Sequence, residues 1–235
     1  MALLAGTGVV ALALYSLCGD LTGHAIVTKR LSKKAPPAAV YNLRGATTPA
    51  AAEKAADKPG SEFDRMVVIL EGGKTASRPP ETVTIEQRDA RFTPDLVIVP
   101  VGSTVQFPNS DPIFHNVFSL SRAQSFDLGF YPKGATRSVK FNNEGIVQVY
   151  CHIHANMYAA IVVTASPRYG KPDAEGAFGW KNLPAGHYTV KLWHKFAGAF
   201  QGEVDVPENG AAEVNVRVPI DTGDKRPGDK PGDKH

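Results

Sequence analysis

A chain of 235 residues that is 43% hydrophobic and 21% charged has ordinary globular composition, which excludes collagen-like, coiled-coil and wholly disordered architectures. Its 26 basic and 23 acidic residues leave a net charge of +3, too small a surplus to hold a polyanion, so no nucleic acid is expected as a partner. The 18 prolines and 22 glycines imply many turns between short elements, which fits an all-β protein better than a helical bundle.

Residues Met1 to Cys18 carry no charge and are rich in Ala, Leu, Val and Gly. The run is short for a membrane span, which needs about 20 residues. It reads as a secretory signal peptide, with Ser16 and Cys18 as the small residues before a cut at Gly19, although the usual basic start is missing. This predicts export to the periplasm, with membrane contact only if the leader stays attached. Cys18 and Cys151 are the only cysteines. With Cys18 in the leader a disulfide framework is excluded, and the Cys151 thiol is either an inert buried group or a functional one.

After the leader, residues 19–72 read as N-terminal strands (Leu21 to Leu31, then Arg65 to Glu71) separated by an Ala/Pro/Lys stretch at 46–60 with no apolar period, expected to be a mobile linker. From Glu81 the pattern is β throughout. Val83 and Ile85 alternate with polar neighbours, and Leu96 to Val101 and Thr104 to Phe107 follow. A turn comes at Pro108, Asn109, Ser110, Asp111 and Pro112. Val139 with Phe141, Ile146 to Tyr150, and Ala159 to Val163 complete a unit spanning 81–164, at a spacing that suits a sandwich or barrel. A second unit at 165–219 holds four more strands, with Leu183-Pro184-Ala185-Gly186 as a tight turn; Trp180 and Tyr188 are expected in its core. The tail at 220–235 repeats Gly-Asp-Lys and is expected to be disordered.

The chemistry concentrates in Cys151-His152-Ile153-His154-Ala155-Asn156-Met157, with His115 upstream just after a turn. One thiolate and two imidazoles in a plane, with a weak thioether on the axis, make a blue-copper electron-transfer site. Soft sulfur suits Cu(I) and imidazole suits Cu(II), so a rigid intermediate geometry needs little rearrangement when an electron moves. Zinc also takes Cys and His, but the methionine favours copper. The expected ligands are His115, Cys151, His154 and Met157. His154 stands three residues after the cysteine, where a turn can bring it back, whereas His152 directly follows a strand and should point the other way. His194 is read as a strand residue.

A His-Asn pair followed by Cys-x-x-His-x-x-Met resembles the cupredoxins, and the short loop is similar to that of amicyanin rather than the longer plastocyanin loop. Phe92-Thr93-Pro94 and Val99-Pro100-Val101-Gly102 resemble the family's opening strands. The resemblance covers about residues 81–164 and implies a Greek-key sandwich with one type 1 copper. It also implies that Asn116 ties the two ligand loops together and donates its backbone N–H to the Cys151 sulfur. Ala155, where amicyanin-like loops carry proline, and the extra His152 depart from the pattern without removing a ligand. The second unit, with Gly176-Ala177-Phe178 and Leu183-Pro184-Ala185-Gly186-His187-Tyr188, resembles a carboxypeptidase regulatory-like, transthyretin-type β-sandwich. The pair together is similar to periplasmic methylamine utilisation-type proteins, a label that names an inferred pathway.

These readings predict an exported one-electron carrier with a redox partner protein. The alternatives are a copper-handling protein without such a partner, or an envelope interaction module on a cupredoxin scaffold. An enzyme is not expected, because a second copper centre would need further His-x-His pairs and His152/His154 is the only one.

Overall fold

The computed structural model describes residues 18–28, 62–73 and 76–218. The leader as far as Leu17, the 46–60 stretch and the 220–235 tail lie outside the described residues. Among the described residues the secondary structure is strand throughout, apart from a 3-10 turn at Glu62–Arg65. The fold is all-β, as the composition and alternation predict.

Two strands, β1 (Cys18–Val27) and β2 (Met66–Glu71), precede a contiguous first sandwich. That sandwich holds β3 (Thr82–Thr84), β4 (Glu86–Arg88), β5 (Arg91–Thr93), β6 (Leu96–Pro100), β7 (Thr104–Pro108), β8 (His115–Ser121), β9 (Gln124–Tyr131), β10 (Thr136–Lys140), β11 (Gly145–Tyr150) and β12 (Tyr158–Thr164). One sheet runs β6-β12-β11-β8-β9 and the other β10-β7-β3, with β4 and β5 forming a hairpin. The β8–β9 hairpin is not evident from the sequence pattern. β8 buries the polar His115 and Ser119 and exposes Leu120, while β9 is an edge strand whose Phe130 is exposed, so alternation of apolar residues is a poor guide there.

The remaining strands are β13 (Arg168–Gly170), β14 (Ala177–Pro184), β15 (Gly186–His194), β16 (Gly198–Val206) and β17 (Ala211–Val218). They do not form a unit by themselves. β1 lies between β14 and β17, and β2 lies between β13 and β15, giving sheets β14-β1-β17 and β13-β2-β15-β16. The segments read from sequence as 19–72 and 165–219 therefore build one sandwich, and the 81–164 sandwich is inserted between β2 and β13. Alternation shows which face of a strand is buried but not which strand lies beside it. Gly23 shows how close β1 sits to its neighbours: a Cβ there would lie 2.3 Å from the Val214 carbonyl oxygen and 2.6 Å from the Phe178 ring.

The period of two residues sorts the apolar side chains into three cores. On β12, Ala159, Ile161 and Val163 enter the core of the inserted sandwich, while Tyr158, Ala160 and Val162 face the other way. On β2, Met66, Val68 and Leu70 enter the core of the outer sandwich, and Val67 joins the residues of β12 that face it. Leu96 at the start of β6 completes this middle core, with Trp193 and Phe196 packed against it. Lys195, only 5% exposed, crosses the same junction. Its ammonium pairs with the Asp95 carboxylate, donates to the Tyr158 carbonyl at 3.4 Å and lies 4.7 Å from the centre of the Tyr158 ring.

Truncating the middle core leaves a cavity that two sandwiches share. Leu96→Ala is expected to cost about 3 kcal/mol in denaturant unfolding, whereas Leu120→Ala, at a 66% exposed position, should cost less than about 0.5 kcal/mol.

Candidate metal centre

β11 and β12 pair antiparallel, with Tyr150 opposite Tyr158 as the last rung, so residues 151–157 form a short closed loop. Tyr150 also pairs with Phe118 of β8, and His115 opens β8 opposite Tyr131 of β9. Adjacent strands thus carry His115 and Cys151 to the same end of the sheet. His115, just after the turn, is the first residue of its strand.

His115 is fully buried, Cys151 is 6% exposed and Met157 is 1% exposed. His154 is half-buried, and its carbonyl accepts the Met157 N–H at 3.0 Å, which tightens the end of the loop. The Cys151 Sγ lies 3.9 Å from His115 Nδ1 and 3.8 Å from His154 Nδ1. The ligand atoms of the three residues fall within 4.8 Å of one another. A metal with sulfur at about 2.3 Å and nitrogen at about 2.0 Å, in a trigonal plane, sets S and N about 3.7 Å apart. The observed separations fit that arrangement. Burial, followed by the nearby His115, pushes the His154 imidazole down from its ordinary value despite Asp111, which favours a neutral ring with an available lone pair.

His152 belongs to a different group. Its ring stacks on Phe118 with centroids 3.9 Å apart and planes 4° from parallel, and its Nε2 lies 3.3 Å from the Asp127 carboxylate. The resemblance implied that Asn116 ties the ligand loops together directly and donates its backbone N–H to the Cys151 sulfur; the described contacts of that sulfur are instead with His115 and His154. The Asn116 amide donates to Asp127 at 2.7 Å, and Asp127 in turn faces His152, so Asn116 is linked to the loop through that carboxylate. The Asn116 Oδ1 is buried without a hydrogen-bond partner. Burial raises the Asp127 carboxyl, but the Gly129 N–H, the Asn116 amide and His152 together hold it below the usual range. His194 lies apart from the cluster: its Nδ1 accepts the N–H groups of Phe196 and Ala197 at 3.2 and 3.0 Å, and its Nε2 faces Glu62 at 3.3 Å.

The sequence reading missed Asp111, whose carboxylate sits 2.7 Å from His115 Nε2. In sequence it is one polar residue of a turn, and only the folded turn brings it back onto a ring four positions later. Its burial favours the neutral acid, but the Ala90 N–H, His115 and the Asp89 N–H outweigh it and keep the carboxyl below its ordinary value.

No protein-family profile matches the chain, and no curated protein matches it. Similar solved structures include a copper-containing nitrite reductase from Thermus scotoductus (25% identity, TM-score 0.34), in a match covering 40% of this chain but only 24% of the reductase. They also include amicyanin in a reduced Cu(I) form at pH 4 (21% identity, TM-score 0.34), covering 35% of this chain and 82% of amicyanin. A purple cupredoxin from Nitrosopumilus maritimus is 23% identical with a TM-score of 0.33, and the match covers 35% of this chain and 99% of that protein. The exclusion of an enzyme made from the sequence is corrected here. A copper-containing nitrite reductase stands among these structures beside the cupredoxins, and the exclusion is not carried further.

Two histidines are expected to titrate in opposite directions in NMR of the metal-free protein. His154 should have a midpoint below the ordinary value of about 6.5, and His187, hydrogen-bonded first to Asp205 and attracted by Glu203, a midpoint above it. For His154 the unfolded chain takes the proton first as pH falls through about 6.5, so this group makes the metal-free fold less stable on the acid side.

Proposed function

We propose that His115, Cys151, His154 and Met157 hold one copper ion per chain in a type 1 centre, and that the protein carries single electrons to or from a redox partner protein. The observation that supports this reading best is the buried Cys151 sulfur lying 3.8 and 3.9 Å from one nitrogen of each imidazole. Bound copper supplies the one-electron couple between Cu(II) and Cu(I). The chain's own part is to hold a soft thiolate and two neutral imidazoles in a fixed arrangement, and to keep water from the sulfur. The closed β11–β12 loop and the burial of Cys151 and Met157 serve both ends. The donor set of Cys, two His and Met favours copper over the harder ions.

Side chains beside the ligands support the partner reading. Ile113 and Phe114 precede His115 and are 46% and 57% exposed, and Ile153 precedes His154 and is 53% exposed. Large apolar groups of this kind in water fit a surface that another protein covers briefly. The second sandwich is assigned to the carboxypeptidase regulatory-like type on its Leu-Pro-x-Gly-x-Tyr turn, in which Tyr188 is buried and donates to the Pro184 carbonyl at 2.8 Å. The reading includes export to the periplasm. Removal of the leader before Gly19 takes only Cys18 from β1, and N-terminal sequencing of the periplasmic protein should find Gly19 first.

The visible spectrum of the copper-loaded chain tests the central reading. An intense blue or green thiolate band is expected, lost in Cys151→Ser and retained in His152→Ala. Met157→Leu should keep copper and raise the reduction potential, because an apolar axial side favours Cu(I). Copper uptake without such a band overturns the electron-carrier reading, and loss of the band in His152→Ala with retention in His154→Ala overturns the ligand assignment.

A further inference from the structure

The tip of the β4–β5 hairpin and the turn before β8 are built around one carboxylate. Asp111 is 6% exposed. Its Oδ1 accepts the Asp89 N–H at 2.7 Å, and its Oδ2 accepts the Ala90 N–H at 2.9 Å while facing His115 Nε2 at 2.7 Å. Asp89 and Ala90 have φ of +53° and +51°, a left-handed conformation that side-chain-bearing residues seldom adopt, and here it aims two successive N–H groups at one anion. Asn109 fixes the turn from the other side. Its Oδ1 accepts the Asp111 N–H at 2.9 Å, and its amide donates to the Ile113 and Tyr131 carbonyls at 2.9 and 3.0 Å. Two strained residues and a buried amide thus hold the carboxylate against a single ring nitrogen.

Both Asp111 oxygens already accept a backbone N–H, so the side chain faces the ring as an acceptor and the His115 nitrogen opposite it carries the proton. The other nitrogen, Nδ1, then presents its lone pair, and Nδ1 is the atom 3.9 Å from the Cys151 sulfur. Negative charge behind an imidazole makes the ring a stronger donor and favours the more highly charged metal ion. We propose that Asp111 is a positioning residue of the metal centre, which selects the Nε2–H tautomer of His115 and lowers the reduction potential of the bound copper. The second half of this statement rests on the copper reading above; the first half does not.

The full chain tests the two halves separately. In metal-free wild-type protein, long-range ¹H–¹⁵N NMR should show His115 protonated at Nε2 and bare at Nδ1, and Asp111→Ala should mix the tautomers. A wild-type ring protonated at Nδ1 overturns the proposal whatever the metal does. In copper-loaded protein, Asp111→Asn keeps an oxygen acceptor and removes the charge. The preference for Cu(II) over Cu(I) should fall about tenfold, read as a rise in potential of about 59 mV, with the visible band retained and the melting temperature lowered because one backbone N–H loses its acceptor. An unchanged potential in a folded Asp111→Asn protein overturns the tuning role. If wild-type chain shows no thiolate band with copper, the copper reading fails and the tuning role falls with it, while the wild-type NMR spectrum still decides the tautomer.

Discussion

β12 is a strand with no solvent side, and every one of its residues from Tyr158 to Thr164 is buried. Its odd-numbered side chains fill the inserted sandwich, and Tyr158, Ala160 and Val162 fill the junction with the outer sandwich. A one-residue slip in its pairing would exchange those two sets and empty both cores at once, so its register against β11 and β6 is tightly specified. Met157 and the candidate ligand loop are anchored directly to that strand. The rigidity that the proposed copper centre would need is thus supplied by packing on two faces rather than by the loop itself.

The polar groups near the centre follow a related logic. Asp111 and Asp127 are carboxylates below their usual range, the first held by two backbone N–H groups and the second by one and the Asn116 amide, and each faces a histidine, His115 in one case and His152 in the other. One supports a ring in the cluster. The other stiffens the ring that stacks on Phe118 and keeps the loop's first histidine away from the sulfur. One histidine on β8 and one on the loop thus acquire different surroundings through which carboxylate is brought up to each.

What could be read in the sequence depended on whether the information was local. The spacing of Cys151, His154 and Met157 was legible because a closed loop between paired strands holds all three, and His115 was legible because it follows a strong turn signal. The divergence of His152 was legible from strand alternation. The β8–β9 hairpin was obscured by buried polar residues and an exposed Leu120, which invert the usual code. Asp111 and the pairing of β1 with β14 and β17 were not legible, because each depends on segments distant in the chain being brought together.

The insertion of one sandwich within the other bears on the order in which the molecule assembles. The inserted unit is continuous from β3 to β12 and can form from contacts within its own span. The outer sandwich cannot close until the chain has emerged beyond β17, because β1 and β2 wait for partners that come last. Leu70 of β2 lies opposite Arg168 of β13, on either side of the inserted unit. Once that unit has folded, the two ends it presents are already neighbours, and the entropy of closing a long loose loop no longer opposes the pairing of β2 with β13. The candidate metal sandwich thereby acts as a template for the sandwich that encloses its ends.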